Sequence, residues 1–354
     1  MFFSIEQRVN NFKQYYQKKN TRPLLGFFGG SEYPLHRYKA PAVLTESRPL
    51  VPQDFIVEDY LADTDRLFDE HEKLGGDFIF AADAFWGIPW LEAVLGCQLL
   101  ASHKTGSIHA EHLSSGTKIE KRSIANDPWT QKAVEFLDKT SRHCAGRYPL
   151  ATTRMRGISD LLAIVYGNEM MVYKMIESPQ EVKDTCEALT QLWIDFARIQ
   201  LDHIPYFHGG IGSFYYNMWA SGKAVWMQED ASALLSPQLY EEFILPCDKA
   251  IIAAFEGSFM HMHPTGFYPY RQLVNSDITC LELHIDEGGP DAQSLFDIHK
   301  LILSKKPLLI WGKLASKDLD WIFSKLPAQG LAVMTAVEDP DESKYIWDKY
   351  IGRR

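Results

Sequence analysis

Short apolar runs rich in branched and aromatic residues recur along the chain, at Leu24 to Phe28, Phe78 to Ala82, Leu150 to Arg156, Phe207 to Tyr215, Ser258 to His263, Ile278 to Ile285, Pro307 to Gly312 and Leu331 to Val337. Runs of this length and make-up predict strands. Between most of them the spacing turns helical. The clearest case spans Ser178 to about His203, where Val182, Cys186, Leu189, Trp193 and Phe196 share one face. Ser178 is placed to cap it, Pro179 suits its first position, and Glu181 completes a capping box. Ser236-Pro237 repeats this opening, and Asp339-Pro340 opens the last helix. Strands alternating with helices imply parallel strands joined by right-handed crossovers. Eight such units predict an α/β protein, a closed (β/α)8 TIM barrel. A doubly wound sheet shares the local pattern, but GFFGGSEYP after the first strand lacks the GxGxxG phosphate loop. Residues 1–20, MFFSIEQRVNNFKQYYQKKN, read as an amphipathic helical extension, with the barrel domain over 21–354.

The 354 residues are 46% hydrophobic and 23% charged, enough for a large core and unlike a disordered chain. A net charge of -10 repels polyanions, so nucleic acid is not an expected partner. The 5 cysteines are widely spaced with no CxxC pair, which fits reduced thiols in a cytoplasmic protein. The N-terminus turns charged too early for a signal peptide, and no apolar run reaches the roughly 20 residues of a membrane span.

In a barrel the chemistry gathers where strands end, which directs attention to particular positions. In MHMHPTG, His261 and His263 are two apart and point the same way, about 6.6 Å apart along a strand. Both imidazoles can reach one ion; a catalytic zinc site adds a third protein ligand, for which Cys280, Glu338 and Asp286 are candidates. Alternatively the pair hydrogen-bonds a carboxylate substrate. The next run, TCLELHID, alternates strictly, so Cys280, Glu282, His284 and Asp286 share a face, with His284 and Asp286 nearest the strand end and best placed to meet substrate. Asp83 closes GGDFIFAAD beside AFWGIPW; it is a candidate general base or cation holder, or a plain surface turn. Burial there would raise its pKa. Arg154 and Arg156, again two apart, suit a carboxylate or phosphate, or else form structural ion pairs. In WMQED, Gln228 and Glu229 are candidate substrate contacts, and Glu229 and Asp230 can equally lie solvated near a helix N-terminus. Lys313 is a further isolated candidate.

The order of these landmarks resembles the uroporphyrinogen decarboxylase superfamily, which includes zinc- and corrinoid-dependent methyltransferases. The likeness spans nearly the whole chain and rests on GGDFIFAADAFWGIPWLEAVLGCQL, RGISDLLAIVYGNEMMVYKMIESPQEV, LLSPQLYEEFILPCDKAII with MHMHPTG, and GLAVMTAVEDPDE. It implies a barrel fold, with Asp83 at a position similar to the central catalytic aspartate. The decarboxylase's arginine-rich RQAGR stretch is replaced by Phe27 to Glu32, and its GHG motif by Val333 to Glu338. In the methyltransferase branch, His261 falls on the His of an HxC motif and His263 on its Cys, and no Cys follows Cys280. The resemblance therefore implies methyl transfer with zinc, a small-molecule acceptor and a corrinoid-carrying partner protein; homodimers are plausible in this superfamily. Decarboxylation of a tetrapyrrole or other carboxylated substrate, and passive tetrapyrrole or corrinoid binding, are the alternatives.

Overall fold

The computed structural model describes residues 2–114 and 116–352. One parallel sheet holds six strands: β1 (Leu24–Gly29), β2 (Ala224–Gln228), β3 (Gly257–Met262), β4 (Cys280–His284), β5 (Leu308–Gly312) and β6 (Leu331–Val337). Their order in space is β1-β6-β5-β4-β3-β2, and every ladder is parallel. Parallel neighbours need crossovers, supplied by helices such as Phe296–Lys305 between β4 and β5 and Ser316–Lys325 between β5 and β6. Because both faces are covered, strands such as Leu308–Gly312 are buried at every position.

The ladder is open among the described residues, with β1 and β2 at its edges. Two of the predicted strands, 78–82 and 150–156, stay extended but pair only through one parallel bridge, Ala82 with Leu150. Asn217 takes the backbone groups that a neighbouring strand would use: its carbonyl accepts from Ile79 N–H at 2.8 Å and its side chain from Ala81 N–H at 3.3 Å. The predicted run Phe207 to Tyr215 is corrected: only Gly210–Gly212 is strand, and it pairs antiparallel with Trp219–Ser221. Its expected place in the parallel sheet belongs to β2, a short stretch buried throughout that carries no alternation.

The helix Pro179–Asp202 forms as predicted, but its capping box does not. Ser178 ends the preceding helix, donating its N–H to Lys174 O at 2.8 Å, and Glu181 pairs with Lys174 instead. Ser236 does cap, accepting from Leu239 N–H, and Asp339 accepts from Asp341 and Glu342. The N-terminal helix Ile5–Tyr16 is part of the core: Phe12 and Tyr15 are fully buried, each such side chain contributing about 1.5–3 kcal/mol. Tyr15 Oη lies 3.0 Å from Cys280 Sγ at the start of β4, so this helix covers the N-terminal ends of the strands. Above it, Trp226 and Phe259 stack at 5.1 Å and fill the interior. No helix among the described residues is long and apolar enough to cross a membrane.

Candidate metal centre

Strand register assembles the site. Parallel pairing sets Gln228 beside His261 and His261 beside Glu282, while Met262 beside Leu283 carries the next pair, His263 and His284, to the C-terminal edge. His284 in turn lies beside Trp311. Alternation sends Leu281 and Leu283 to the helix-facing core and leaves Glu282 and His284 on the inner face with Cys280. His261, His263 and His284 thereby present ligand nitrogens that all lie within 4.8 Å of one another.

The hydrogen bonds around the three rings fix their roles. Glu282, fully buried, engages His261 Nδ1, and both oxygens of Asp286 engage His263 Nδ1 at 2.8 and 2.9 Å. Tyr216 Oη also lies 2.9 Å from His261 Nδ1. With each Nδ1–H directed at a carboxylate, the two Nε2 atoms turn inward and face each other at 2.8 Å. Two lone pairs cannot face each other at that distance, so a proton must sit between them; a tetrahedral metal, at about 2.0–2.1 Å from each nitrogen, would take its place with the two nitrogens about 3.3 Å apart. The protein alone uses the proton. Burial would strip it from His261, but the charge of Glu282 and the bond to it, with Asp230 and Asp286 beyond, outweigh burial and hold it to about pH 9. His284 is the opposite case, pushed down to about 3 by burial and by the neighbouring imidazoles, and so is neutral at any ordinary pH. Its Nδ1 is buried without a partner. Inward-facing imidazoles, held from behind by carboxylates, with one orphaned nitrogen beside them, fit a divalent metal.

The chain matches no family model and no curated protein. The site is accordingly read from its own geometry.

The cluster opens into a cavity of about 250 Å³ walled by Trp86, Phe214, Tyr215, Tyr216 and Trp311, with Arg154, Gln228, Asp230 and Glu32 as its other polar groups. Several expected site residues take different parts. Cys280 does not join the imidazoles, because it sits at the opposite end of β4 against Tyr15, and burial raises its thiol to about 12. Glu338 is exposed beyond β6, its N–H donating to Glu342 at 2.7 Å, and is also outside the cluster. The third imidazole, His284, was expected as a substrate contact; Asp286 stands behind His263. Asp83 does not line the cavity. Its Oδ2 is buried without a partner near Thr153 and Arg154, and burial drives its pKa well up, as its aromatic setting implied.

Glu229 is corrected from substrate contact to helix cap: it accepts from Ile158 and Ser159 N–H, both at 2.8 Å. Asp160 reciprocates, accepting from Ala231 N–H at 3.0 Å. Arg156 turns to Glu92 and Asp160, at 3.5 and 3.6 Å, rather than to the cavity. Gln228 does line the cavity and donates to Asp230 at 2.9 Å. Lys313 is exposed.

This interlock between the end of β2 and the helix Ile158–Tyr166 depends on Gly157, since a Cβ there would stand 1.8 Å from Gln228 O. Gly157→Ala is expected to cost about 3 kcal/mol and to lower the thermal midpoint by several degrees, checked by calorimetry. An unchanged midpoint would show that the interlock yields freely. Sequence reading missed Asp160 and the wall formed by Tyr215, Tyr216 and Trp311. Only Trp86 had a visible cue, in AFWGIPW.

Proposed function

We propose that this chain is a metal-dependent enzyme of the methyl-transfer type, built on an eight-stranded barrel in which the extended runs 78–82 and 150–156 stand between the edge strands β1 and β2. The reading is carried by one observation: two imidazoles turned inward by Glu282 and Asp286, with His284 beside them. His261, His263 and His284 would hold zinc, and when bound it supplies a Lewis acid that lowers the pKa of a hydroxyl, thiol or amine on the acceptor. Three neutral imidazoles leave such a centre harder and more electrophilic than a thiolate-rich one, which favours an oxygen or nitrogen acceptor.

The rest of the work falls to the protein's own groups. Glu282 and Asp286 hold the ring orientations and balance two positive charges in a partly buried place. Trp86, Tyr215 and Trp311 exclude water from one side of the cavity. Asp230 uses Oδ2 for Gln228, which leaves Oδ1 to receive the proton that the acceptor loses. In this reading the methyl group comes from a methyl-corrinoid on a partner protein. The acceptor heteroatom forms a bond to the methyl carbon, the carbon–cobalt bond breaks with its electron pair left on cobalt, and a proton is released.

Decarboxylation of a tetrapyrrole is disfavoured by charge, because the cavity sets one arginine, Arg154, beside the carboxylates Glu32 and Asp230, where a polycarboxylated macrocycle would need several cations. The test is to load purified protein with zinc, add methylcobalamin with a panel of small hydroxyl, amine and thiol acceptors, and detect the methylated product by mass spectrometry. Zinc-dependent product is the expected result. Folded, zinc-loaded protein that methylates nothing, but releases carbon dioxide from uroporphyrinogen, would overturn it.

A further inference from the structure

We infer that the molecule bound in this cavity is a small planar monocarboxylate, held by Arg154 at one end of an aromatic wall and presented to the imidazoles at the other; this rests on the proposed function only for the role of the second end. Arg154 lines the cavity, and no carboxylate or other acceptor of the described residues lies within hydrogen-bond or ion-pair distance of its guanidinium. Its neighbour Arg156 is the one committed to Glu92 and Asp160. Glu92, Asp230 and Asp160 act on this guanidinium from beyond contact, so its charge is partly balanced while its hydrogen-bonding fork stays open, and that fork matches a carboxylate.

The wall runs without a break from that cation to the centre. The Arg154 guanidinium carbon stands 5.7 Å from the Trp86 ring, Trp86 is 5.3 Å from Tyr215, Tyr215 is 5.6 Å from Trp311, and Trp311 is 5.5 Å from His284. Successive rings meet edge to face, at 75°, 80° and 87°, so an aromatic ligand ring can stack on one of them while meeting the edges of its neighbours. One arginine without a direct partner calls for one carboxylate, and a cavity of about 250 Å³ suits a ligand of one or two rings rather than a macrocycle. The far substituent, a hydroxyl or amine, then meets the three imidazoles, with Asp230 nearby as acceptor.

Benzoate, 4-hydroxybenzoate, benzyl alcohol and acetate are the probes, with binding followed by quenching of tryptophan fluorescence and by titration calorimetry, on protein before and after zinc loading. Benzoate is expected to bind without zinc at least tenfold more tightly than benzyl alcohol, which lacks the charge, or acetate, which lacks the ring. Arg154→Gln should weaken benzoate at least tenfold and leave benzyl alcohol unchanged, with Arg154→Lys in between; circular dichroism confirms folding. Zinc should tighten 4-hydroxybenzoate and not benzoate. Equal benzoate binding by wild type and Arg154→Gln, or none by folded wild type, overturns the inference. Arg154-dependent benzoate binding in protein that takes up no zinc would support the carboxylate site while removing the metal-centred function.

Discussion

Replacing His261 and His263 together by alanine is expected to reduce zinc from close to one ion per chain to below about a tenth, measured by elemental analysis after loading and gel filtration. Each ring supplies one inward Nε2, and a lone remaining imidazole at His284 cannot hold the ion against buffer and water. The double variant loses the partner of the buried Glu282, so circular dichroism checks its folding, while the apolar core of β3, built from Phe259, Met260 and Met262, is untouched. Undiminished zinc in a folded double variant would place the metal elsewhere and end the proposed function.

The second large effect is on the pH dependence of zinc binding. His261 must give up the proton it holds to about pH 9 before it can ligate, so zinc uptake at pH 7 should release about one proton per chain from this residue. The sign follows directly. A group protonated below its pKa competes with the metal, so apparent affinity should climb about tenfold per pH unit from neutrality and level off near pH 9. Glu282→Gln removes the charge that most sustains this proton, and burial, opposed then only by the more distant Asp230 and Asp286, drives His261 toward the neutral form. The slope should then flatten and the released proton vanish. At pH 9, where competition is over in both proteins, the variant should bind zinc about 10–100-fold more weakly, since a ligand imidazole has lost the carboxylate behind it. Calorimetry in two buffers of different ionisation enthalpy reads both quantities. A wild type with no pH slope would show that Glu282 does not hold His261 charged.

How far the site was legible in advance depends on which interactions are local. The period-2 alternation of TCLELHID places Glu282 and His284 on one face whatever the rest of the chain does, and HxH places two rings on one side of a strand. Both patterns survive folding intact. The third imidazole of the cluster was not legible as such, because Cys280, Asp286 and Glu338 offered themselves beside the pair on the same chemistry and differ only in which end of which strand they occupy. Register decided it: with Met262 beside Leu283, His263 meets His284, and Cys280 is left two pairs below against Tyr15. The same holds for the arginines, where spacing shows a pair and packing assigns Arg156 to Glu92 and Asp160.

By itself, then, the sequence determined the alternation of strands and helices, the starts of the helices at Ser236 and Asp339, and the two histidines of β3, because each follows from residues a few positions apart. Only the tertiary structure decided that Ala224–Gln228 takes the sheet position expected of Phe207 to Tyr215, that Asn217 takes backbone groups of the run 78–82, and that Glu229 is a cap. Those outcomes turn on competition for backbone hydrogen bonds between segments distant in the chain, as Asn217 is from Ala81 at a separation of 136, which no local pattern encodes.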